Sequence, residues 1–157
     1  MMPELDIEKL ADSVSNLVQV TVPERGTETE LRKALHELSV AGINLTQKYI
    51  RLKAVESRVA INARNEKAKL AQQRAIHVAN PTEAYLGCKN EKARDAYLDT
   101  VCADQITALD EAEVQQTQMR YLLDIVGEAM SRLKFLKETT AHQVKLLEIE
   151  VSLEPTE

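Results

Sequence analysis

Apolar residues recur at alternating spacings of four and three along two long stretches of the chain. The first stretch runs from residue 27 to residue 79 and contains no proline. Its repeat consists of Leu31, Leu35, Leu38, Gly42, Leu45, Tyr49, Leu52, Val59, Ala63 and Leu70. This spacing places the side chains on one face of an α-helix, which is the seam along which the helices of a coiled coil pack. We therefore predict a long helix over residues 27–79.

The second stretch, residues 90–152, carries a longer and wider apolar pattern. Its seam runs through Cys102, Leu109, Ala112, Met119, Leu123, Val126, Met130, Leu133, Thr140, Val144, Leu147 and Val151. Further apolar residues widen the stripe, among them Leu122, Ile125, Ala129 and Leu136. A stripe this wide needs more than one neighbour to cover it. We predict a second helix over residues 90–152 and an oligomer interface at these four residues, although the N-terminal segment is an alternative cover.

Local signals fix the predicted ends of the two helices. Thr27 and Glu30 form a T-x-x-E capping box at the start of the first helix. Pro81 disfavours helical backbone at the preceding residue, so the first helix should stop just before it. Asn90 is a favourable N-cap for the second helix. Residues 80–89 then form the bend of an antiparallel helical hairpin.

Two shorter segments complete the predicted organisation. Within the bend, residues 82–86 suit one helical turn that ends at Gly87. The N-terminal segment, residues 1–26, suits a short helix over residues 5–14, an extended stretch over 17–22 and a breaker at 23–26. Residues 153–157 are a tail. The predicted fold is all-α, a long antiparallel coiled-coil hairpin over residues 27–152, and its exposed apolar surface predicts a homo-oligomer.

Composition supports helices and limits the class of protein. Aromatic residues make up only 3%, and glycine and proline number four each. No apolar run approaches the length of a membrane span, and the first residues resemble neither a secretory signal nor a transit peptide. Cys88 and Cys102 match no zinc spacing, and we interpret both as buried thiols of a reducing compartment. We therefore expect a cytoplasmic protein with no contact to membranes.

Positive charge is concentrated between Lys48 and Arg94. That stretch holds eleven Lys or Arg and four Asp or Glu, a formal net charge of +7, so the rest of the chain carries −12 of the total −5. In a hairpin bent at residues 80–89 we expect both arms at that end to be basic. Such an end suits DNA or RNA phosphates, or an acidic protein partner. The residues predicted to make this contact are Arg64, Lys67, Lys69, Arg74, Lys89, Asn90, Lys92 and Arg94.

The bend offers further groups for an anionic ligand. Free amides at the helix start beside Asn90 attract anions, and Tyr85, Tyr97 and His77 have rings on which bases could stack. The alternative is that the charges are a hydrated surface, or that they meet the acidic end of a neighbouring copy.

The sequence lacks the motifs typical of catalysis, cofactor binding or metal binding. The chain has no phosphate-binding glycine loop, no dinucleotide fingerprint and no H-E-x-x-H motif. Glu138 and His142 stand four residues apart, which favours a surface pair over a metal site. The acidic run Asp110, Glu111 and Glu113 is typical of an exposed helix face. We predict a protein that is not an enzyme and binds no cofactor or metal.

The segment YLGCKNEKARDAYL, residues 85–98, resembles a loose class of small helical proteins of bacteriophages and prophages. In that class a long helix meets a tip of the form G-K-N-x-x-x-R, and a second long helix closes with leucines and basic residues. The tip here reads Gly87, Lys89, Asn90 and Arg94, with Cys88 inserted after the glycine, and MSRLKFLKETTAHQVKLL resembles the end of the second helix. The resemblance implies a phage accessory protein of DNA replication, recombination or host takeover, in the host cytoplasm.

These observations lead to two functional hypotheses. The first is a non-catalytic, oligomeric adaptor whose basic bend contacts nucleic-acid phosphates or an acidic partner. The alternative is a structural assembly protein, a scaffold or chaperone, which acts through its apolar helical stripe and binds no nucleic acid.

Overall fold

The computed structural model describes residues 12, 14, 16 and 19–153. Within them the protein is an all-α helical hairpin without strands, as predicted. Residues 12, 14 and 16 are helical, and from residue 28 onward the helices are α1 (Glu28–Ala79), α2 (Glu83–Leu86), α3 (Glu91–Val101) and α4 (Ala103–Leu153). Residues 19–23 are neither helix nor strand, and a turn follows at residues 24–25. Most of the helix predicted over residues 5–14 lies outside the described residues.

The start of α1 is the predicted capping box. The Thr27 hydroxyl accepts from the backbone N–H of Glu30 at 3.4 Å, and the Glu30 carboxylate accepts from the backbone N–H of Thr27 at 2.8 Å. The hydrogen bonds from Thr27 lower the pKa of Glu30, because they favour its charged form. Two otherwise unpaired groups at the helix start are thereby satisfied.

The second long helix differs from the prediction at one residue. Cys102 has φ −105° and ψ 18°, which separates α3 from α4. Hydrogen bonding continues across it, since its N–H donates to Leu98 O at 2.9 Å and its carbonyl accepts from Ile106 N at 3.0 Å. Cys102 is neither glycine nor proline and the apolar seam runs through it, so the sequence carried no signal for the interruption.

The chain divides into two compact units. Unit 1 comprises residues 1–53 and 121–157, and unit 2 comprises residues 54–120. The long helices α1 and α4 each contribute to both units. This division was not predicted from the apolar pattern, which treats residues 27–152 as one hairpin.

Unit 1 has a core rich in leucine and valine. Its buried residues include Val14, Leu31, Ala34, Leu38, Ala41, Leu45, Leu52, Leu122, Leu123, Val126, Leu133, Thr140 and Val144. Arg32 donates to Glu148 across the two helices at 2.5 Å. Further along α1, Leu38 lines the same groove as Lys137, so the α4 number falls as α1 advances and the helices are antiparallel. Each fully buried leucine stabilises the unit by roughly 1.5–3 kcal/mol relative to exposure.

Unit 2 has a core of smaller side chains. Its buried apolar residues include Val59, Ala63, Leu98, Cys102, Ala112 and Met119. Alanine and cysteine bury less apolar area than leucine, so each contact in this core contributes less. Arg74 on α1 pairs with Asp99 on α3 and adds a polar contact between the helices of the unit.

Both cysteines were predicted to be buried thiols. Both cysteines are free: Cys102 is buried as predicted, whereas Cys88 is only half-buried. The Cys88 thiol lies 3.4 Å from Ala84 O and 3.6 Å from Ala93 O, so it connects the turn to α3 rather than entering the core.

None of the described helices is both long and apolar enough to span a membrane.

Candidate functional site

The bend in unit 2 is built from two capped helix starts. The Thr82 hydroxyl accepts from Tyr85 N at 3.3 Å and caps α2, which ends at Gly87. The Asn90 side chain accepts from Ala93 N at 2.8 Å and caps α3, as the sequence predicted. Both caps fix the path of the chain around the turn.

Aromatic side chains at the bend contact each other. The rings of Tyr85 and Tyr97 meet edge to face, with centroids 5.9 Å apart. The Arg94 guanidinium lies 5.8 Å from the centroid of Tyr85, and the Tyr97 hydroxyl is 2.7 Å from that of Thr82. The two tyrosines predicted as platforms for bases are therefore half-buried parts of a polar and aromatic cluster.

The predicted cationic residues do not form one site. Lys89, Asn90, Lys92 and Arg94 gather at the start of α3, whereas Lys69 lies ten residues before the end of α1, about 15 Å along the helix. Arg64 and Lys67 lie further still. Lys69 pairs with Glu66 at 2.7 Å, and Arg74 pairs with Asp99. Only the group around Asn90 remains together at the bend.

The charge of unit 2 corrects the prediction of a strongly basic end. Residues 54–120 contain nine Lys or Arg and ten Asp or Glu, a net charge of −1. The count over residues 48–94 omitted most of the arm that returns from the bend, which carries Asp95, Asp99, Asp104, Asp110, Glu111 and Glu113. Because this acidic arm belongs to the same compact unit as the basic one, the positive charge is largely compensated within it.

The predicted oligomer interface lies in unit 1 and is partly covered by the chain itself. Leu122 is buried, with 2% exposure. Ile125 and Ala129 line a cavity of about 710 Å³ together with Val14 and Val20 of the N-terminal segment. Leu136 is half-buried. The N-terminal segment thus flanks this part of α4, and a second subunit at these positions stays a prediction.

Unit 1 also exposes a second apolar face on α4, which we call the outer α4 stripe. It comprises Phe135, Thr139, His142, Leu146, Ile149 and Leu153, again with alternating spacings of four and three. Its apolar members are 67%, 61%, 54% and 76% exposed, in chain order. Leu133, Thr140 and Val144, on the opposite side of the helix, are buried. This face was not predicted, because the seam of α4 with the most apolar residues is the stronger signal in the sequence.

A shallow groove of about 590 Å³ separates α1 from α4 in unit 1. Gly42 and Ile43 lie on one side, and Met130, Lys134 and Lys137 lie on the other. A Cβ added at Gly42 would meet no atom within 4 Å, so the glycine leaves open space in this wall. Val40, Ile43 and Ile50 are 44%, 59% and 63% exposed and form an outer α1 stripe.

Glu138 and His142 were the pair of polar residues weighed as a metal site. His142 Nδ1 is 3.1 Å from the backbone carbonyl of Glu138, so the contact involves the main chain and not the carboxylate. Across the part of the chain that the structure describes, no three His, Cys, Asp or Glu side chains converge as metal ligands. Comparison with protein families, with curated proteins and with solved structures found no match.

Proposed function

We propose that this protein is a non-catalytic structural assembly protein that self-associates through the outer apolar faces of unit 1. The observation that carries the proposal is the outer α4 stripe, in which Phe135, Leu146, Ile149 and Leu153 are more than half exposed at heptad spacing. Isolated exposed apolar residues are common on soluble proteins, whereas an exposed apolar face marks an interaction site.

The packing of α4 within one chain supports self-association as the reason for the exposed stripe, rather than a role of the stripe in the fold. α4 already packs Leu133 and Val144 against α1 on its inner side. Apolar residues repeated on the opposite side therefore add nothing to the fold of one chain. Their burial in an assembly would contribute about 25 cal/mol for each Å² of apolar surface removed from water.

Sedimentation equilibrium over a range of protein concentrations tests the proposal. We expect a mass above that of one chain, and we expect the association to persist at high salt because apolar contacts are not screened. A monomer at every concentration and salt would contradict the proposal. An assembly that dissociates as salt rises would instead point to contact between opposite charges.

The basic bend supports a second candidate function, contact with nucleic acid or another anion. The specific observation is that Lys89 and Lys92 flank the Asn90 cap, are exposed and make no ion pair among the described residues, so their charges face solvent beside free helix amides. Binding of labelled single- and double-stranded oligonucleotides at about 50 and 200 mM salt tests it, since phosphate contacts weaken steeply with salt.

Two lysine variants sharpen this second test. Lys89→Ala combined with Lys92→Ala should weaken oligonucleotide binding, whereas Lys69→Ala should not, because Lys69 pairs with Glu66. Absence of binding at low salt would remove this candidate. The resemblance to phage helical proteins supports a setting in the host cytoplasm for either function.

A further inference from the structure

The groove between α1 and α4 in unit 1 has an apolar floor and positive charge on one side. Its floor contains Leu38 and Leu133, which are 1% and 3% exposed. Lys134 and Lys137 are exposed on the α4 side, and none of the described residues that line the groove is acidic. Lys137 makes no ion pair among the described residues, and Lys134 Nζ lies 3.9 Å from the Glu138 carboxylate. The groove therefore favours an apolar occupant with negative charge along one edge.

The hydroxyl groups of the groove are already satisfied within their own helices. Ser39, Thr46 and Ser131 each donate to the carbonyl four residues earlier, at 2.8, 2.8 and 3.1 Å. Gly42 leaves open space in the α1 wall, since an added Cβ would meet no atom within 4 Å. A groove of this kind, open along its length between two helices, suits the apolar face of a third helix.

The C-terminal end of α4 has the complementary features. Leu146, Ile149 and Leu153 share one face at spacings of three and four, and they are 61%, 54% and 76% exposed. Val151 is 66% exposed although it belongs to the seam that was predicted to be buried. Apolar side chains are therefore open to solvent on opposite sides of this helix end, and one chain alone leaves them with little to pack against.

This end of α4 is also acidic beside its apolar face. The last twelve residues of the sequence contain four glutamates and no Lys or Arg. Glu148 pairs with Arg32 of its own chain, whereas Glu150 is exposed and makes no ion pair among the described residues. Glu150 lies four residues after Leu146 and three before Leu153, so its carboxylate flanks the exposed apolar face. The helix end thus carries the negative edge that the lysines of the groove favour.

We propose that the C-terminal end of α4, residues 146–153, packs into the α1–α4 groove of a second copy of this chain. This inference rests on the proposed self-association and names the two surfaces that meet. The apolar face of the segment fills the space beside Gly42, and Glu150 lies against Lys134 and Lys137. The eight residues of the segment are about 12 Å long.

The two surfaces make the contact head to tail. Lys137 and Leu153 are 16 residues apart in one continuous helix, about 24 Å, so the end of α4 does not reach its own groove. At about 100° for each residue, their side chains point roughly 160° apart around the helix, so two copies do not exchange this contact reciprocally. Each docked copy keeps one free groove or one free helix end. Such contacts produce rings or open chains rather than closed dimers.

Mixing two variants with different defects tests the head-to-tail contact. Gly42→Leu fills the groove, and Leu146→Asp combined with Leu153→Asp removes the apolar face of the helix end. Gly42 has open space around it and both leucines are more than half exposed, so both variants should fold, which circular dichroism checks. Sedimentation equilibrium is measured for wild type, for each variant alone and for their equimolar mixture.

We expect each variant alone to be a monomer at concentrations where wild type assembles, with a Kd raised at least tenfold. The mixture should form a complex of two chains and nothing larger, because one intact groove and one intact helix end remain. A mixture that stays monomeric, or variants that assemble like wild type, would overturn the inference. In both cases the proposed self-association stands if wild type assembles, whereas a monomeric wild type contradicts both.

Cysteine cross-linking locates the contact without filling the groove or changing its charge. The background is Cys88→Ser, which keeps Cys102, a thiol with 0% exposure. One protein carries Gln47→Cys at the groove, the other carries Ser152→Cys at the helix end, and a short bis-maleimide is added to the mixture. The matched control replaces the second protein with Val114→Cys, at a residue 55% exposed in unit 2. We expect a cross-linked dimer with Ser152→Cys and much less with the control; equal yields, or no product from a protein that assembles, would contradict the inference.

Discussion

Units 1 and 2 use the same pair of long helices but stabilise them differently. Unit 1 packs a row of leucines and valines, and it carries apolar residues at heptad spacing on its outer faces as well. Unit 2 packs mostly small side chains, and its contacts include the Arg74–Asp99 pair and the tyrosine cluster at the bend. Among the described residues of unit 2, the exposed apolar side chains are spread over all four helices and form no run of four at heptad spacing. The difference supports the proposal that unit 1 carries the assembly surface, whereas the contacts of unit 2 close the hairpin.

The largest expected effect compares one leucine from each core. Leu45→Ala in unit 1 should lower the free energy of unfolding by about 3–4 kcal/mol, because Leu45 is 0% exposed and its removal leaves a cavity. Leu98→Ala in unit 2 should cost about 2 kcal/mol, since Leu98 is 7% exposed among smaller neighbours. Urea unfolding followed by circular dichroism measures both. If Leu98→Ala lowered the free energy of unfolding as much as Leu45→Ala or more, the core of unit 1 would not be the more strongly packed of the two.

The next effect tests the polar cluster of unit 2. Tyr97→Phe keeps the ring against Tyr85 and removes the hydroxyl that lies 2.7 Å from the Thr82 hydroxyl. It should destabilise the bend by about 1 kcal/mol and speed hydrogen exchange in α2 and the first turn of α3. Tyr121→Phe, at a residue 62% exposed in unit 1, is the control and should change neither the stability of the bend nor its hydrogen exchange. Unchanged exchange at the bend would show that the cluster does not hold it.

Two glycines test whether the space beside them in unit 1 is open in the single chain. A Cβ at Gly42 or at Gly127 would meet no atom within 4 Å, so Gly42→Ala and Gly127→Ala should each raise the free energy of unfolding by up to about 1 kcal/mol. Thermal unfolding of dilute protein is the measurement. A lower melting temperature for Gly42→Ala would mean that something already packs against that wall.

The smallest effect concerns the capping box of unit 1. The folded state lowers the pKa of Glu30, so its carboxylate stabilises the fold above the unfolded value of about 4.5, and this contribution is lost as pH falls through the folded pKa. Glu30→Gln should therefore be less stable than wild type at pH 7 and should approach it at pH 3. Urea midpoints at the two pH values measure the difference. If the difference in urea midpoint between Glu30→Gln and wild type were the same at pH 3 and pH 7, the lowered pKa of Glu30 would not be its cause.

Much of the fold was predictable because its signals are local. The capping box at Thr27, the stop before Pro81 and the cap at Asn90 each act through a few neighbouring residues, and all three appear where expected. The 4/3 repeat likewise identified the buried seam, since Leu38, Leu45, Met119 and Val126 are nearly inaccessible to solvent.

Properties that depend on which segments meet were predicted less well. The basic end was predicted from the net charge of residues 48–94. That range excludes the acidic residues that follow Arg94, including Asp99, which pairs with Arg74. The cover beside Ile125 and Ala129 depends on where Val14 and Val20 lie, which the local pattern does not show. The outer α4 stripe is visible in the sequence as a second 4/3 repeat. The sequence alone does not show which of the two repeats is buried and which is exposed.

The most direct test of unit 1 as the assembly surface is sedimentation equilibrium of two matched variants on α4. Phe135→Asp changes a residue 67% exposed in unit 1, and Val114→Asp changes one 55% exposed in unit 2. Both lie on the solvent side of the helix, so neither should unfold the chain. We expect Val114→Asp to associate like wild type and Phe135→Asp to sediment as a monomer at the same concentration. Equal association of the two variants, or a monomeric wild type, would contradict the account.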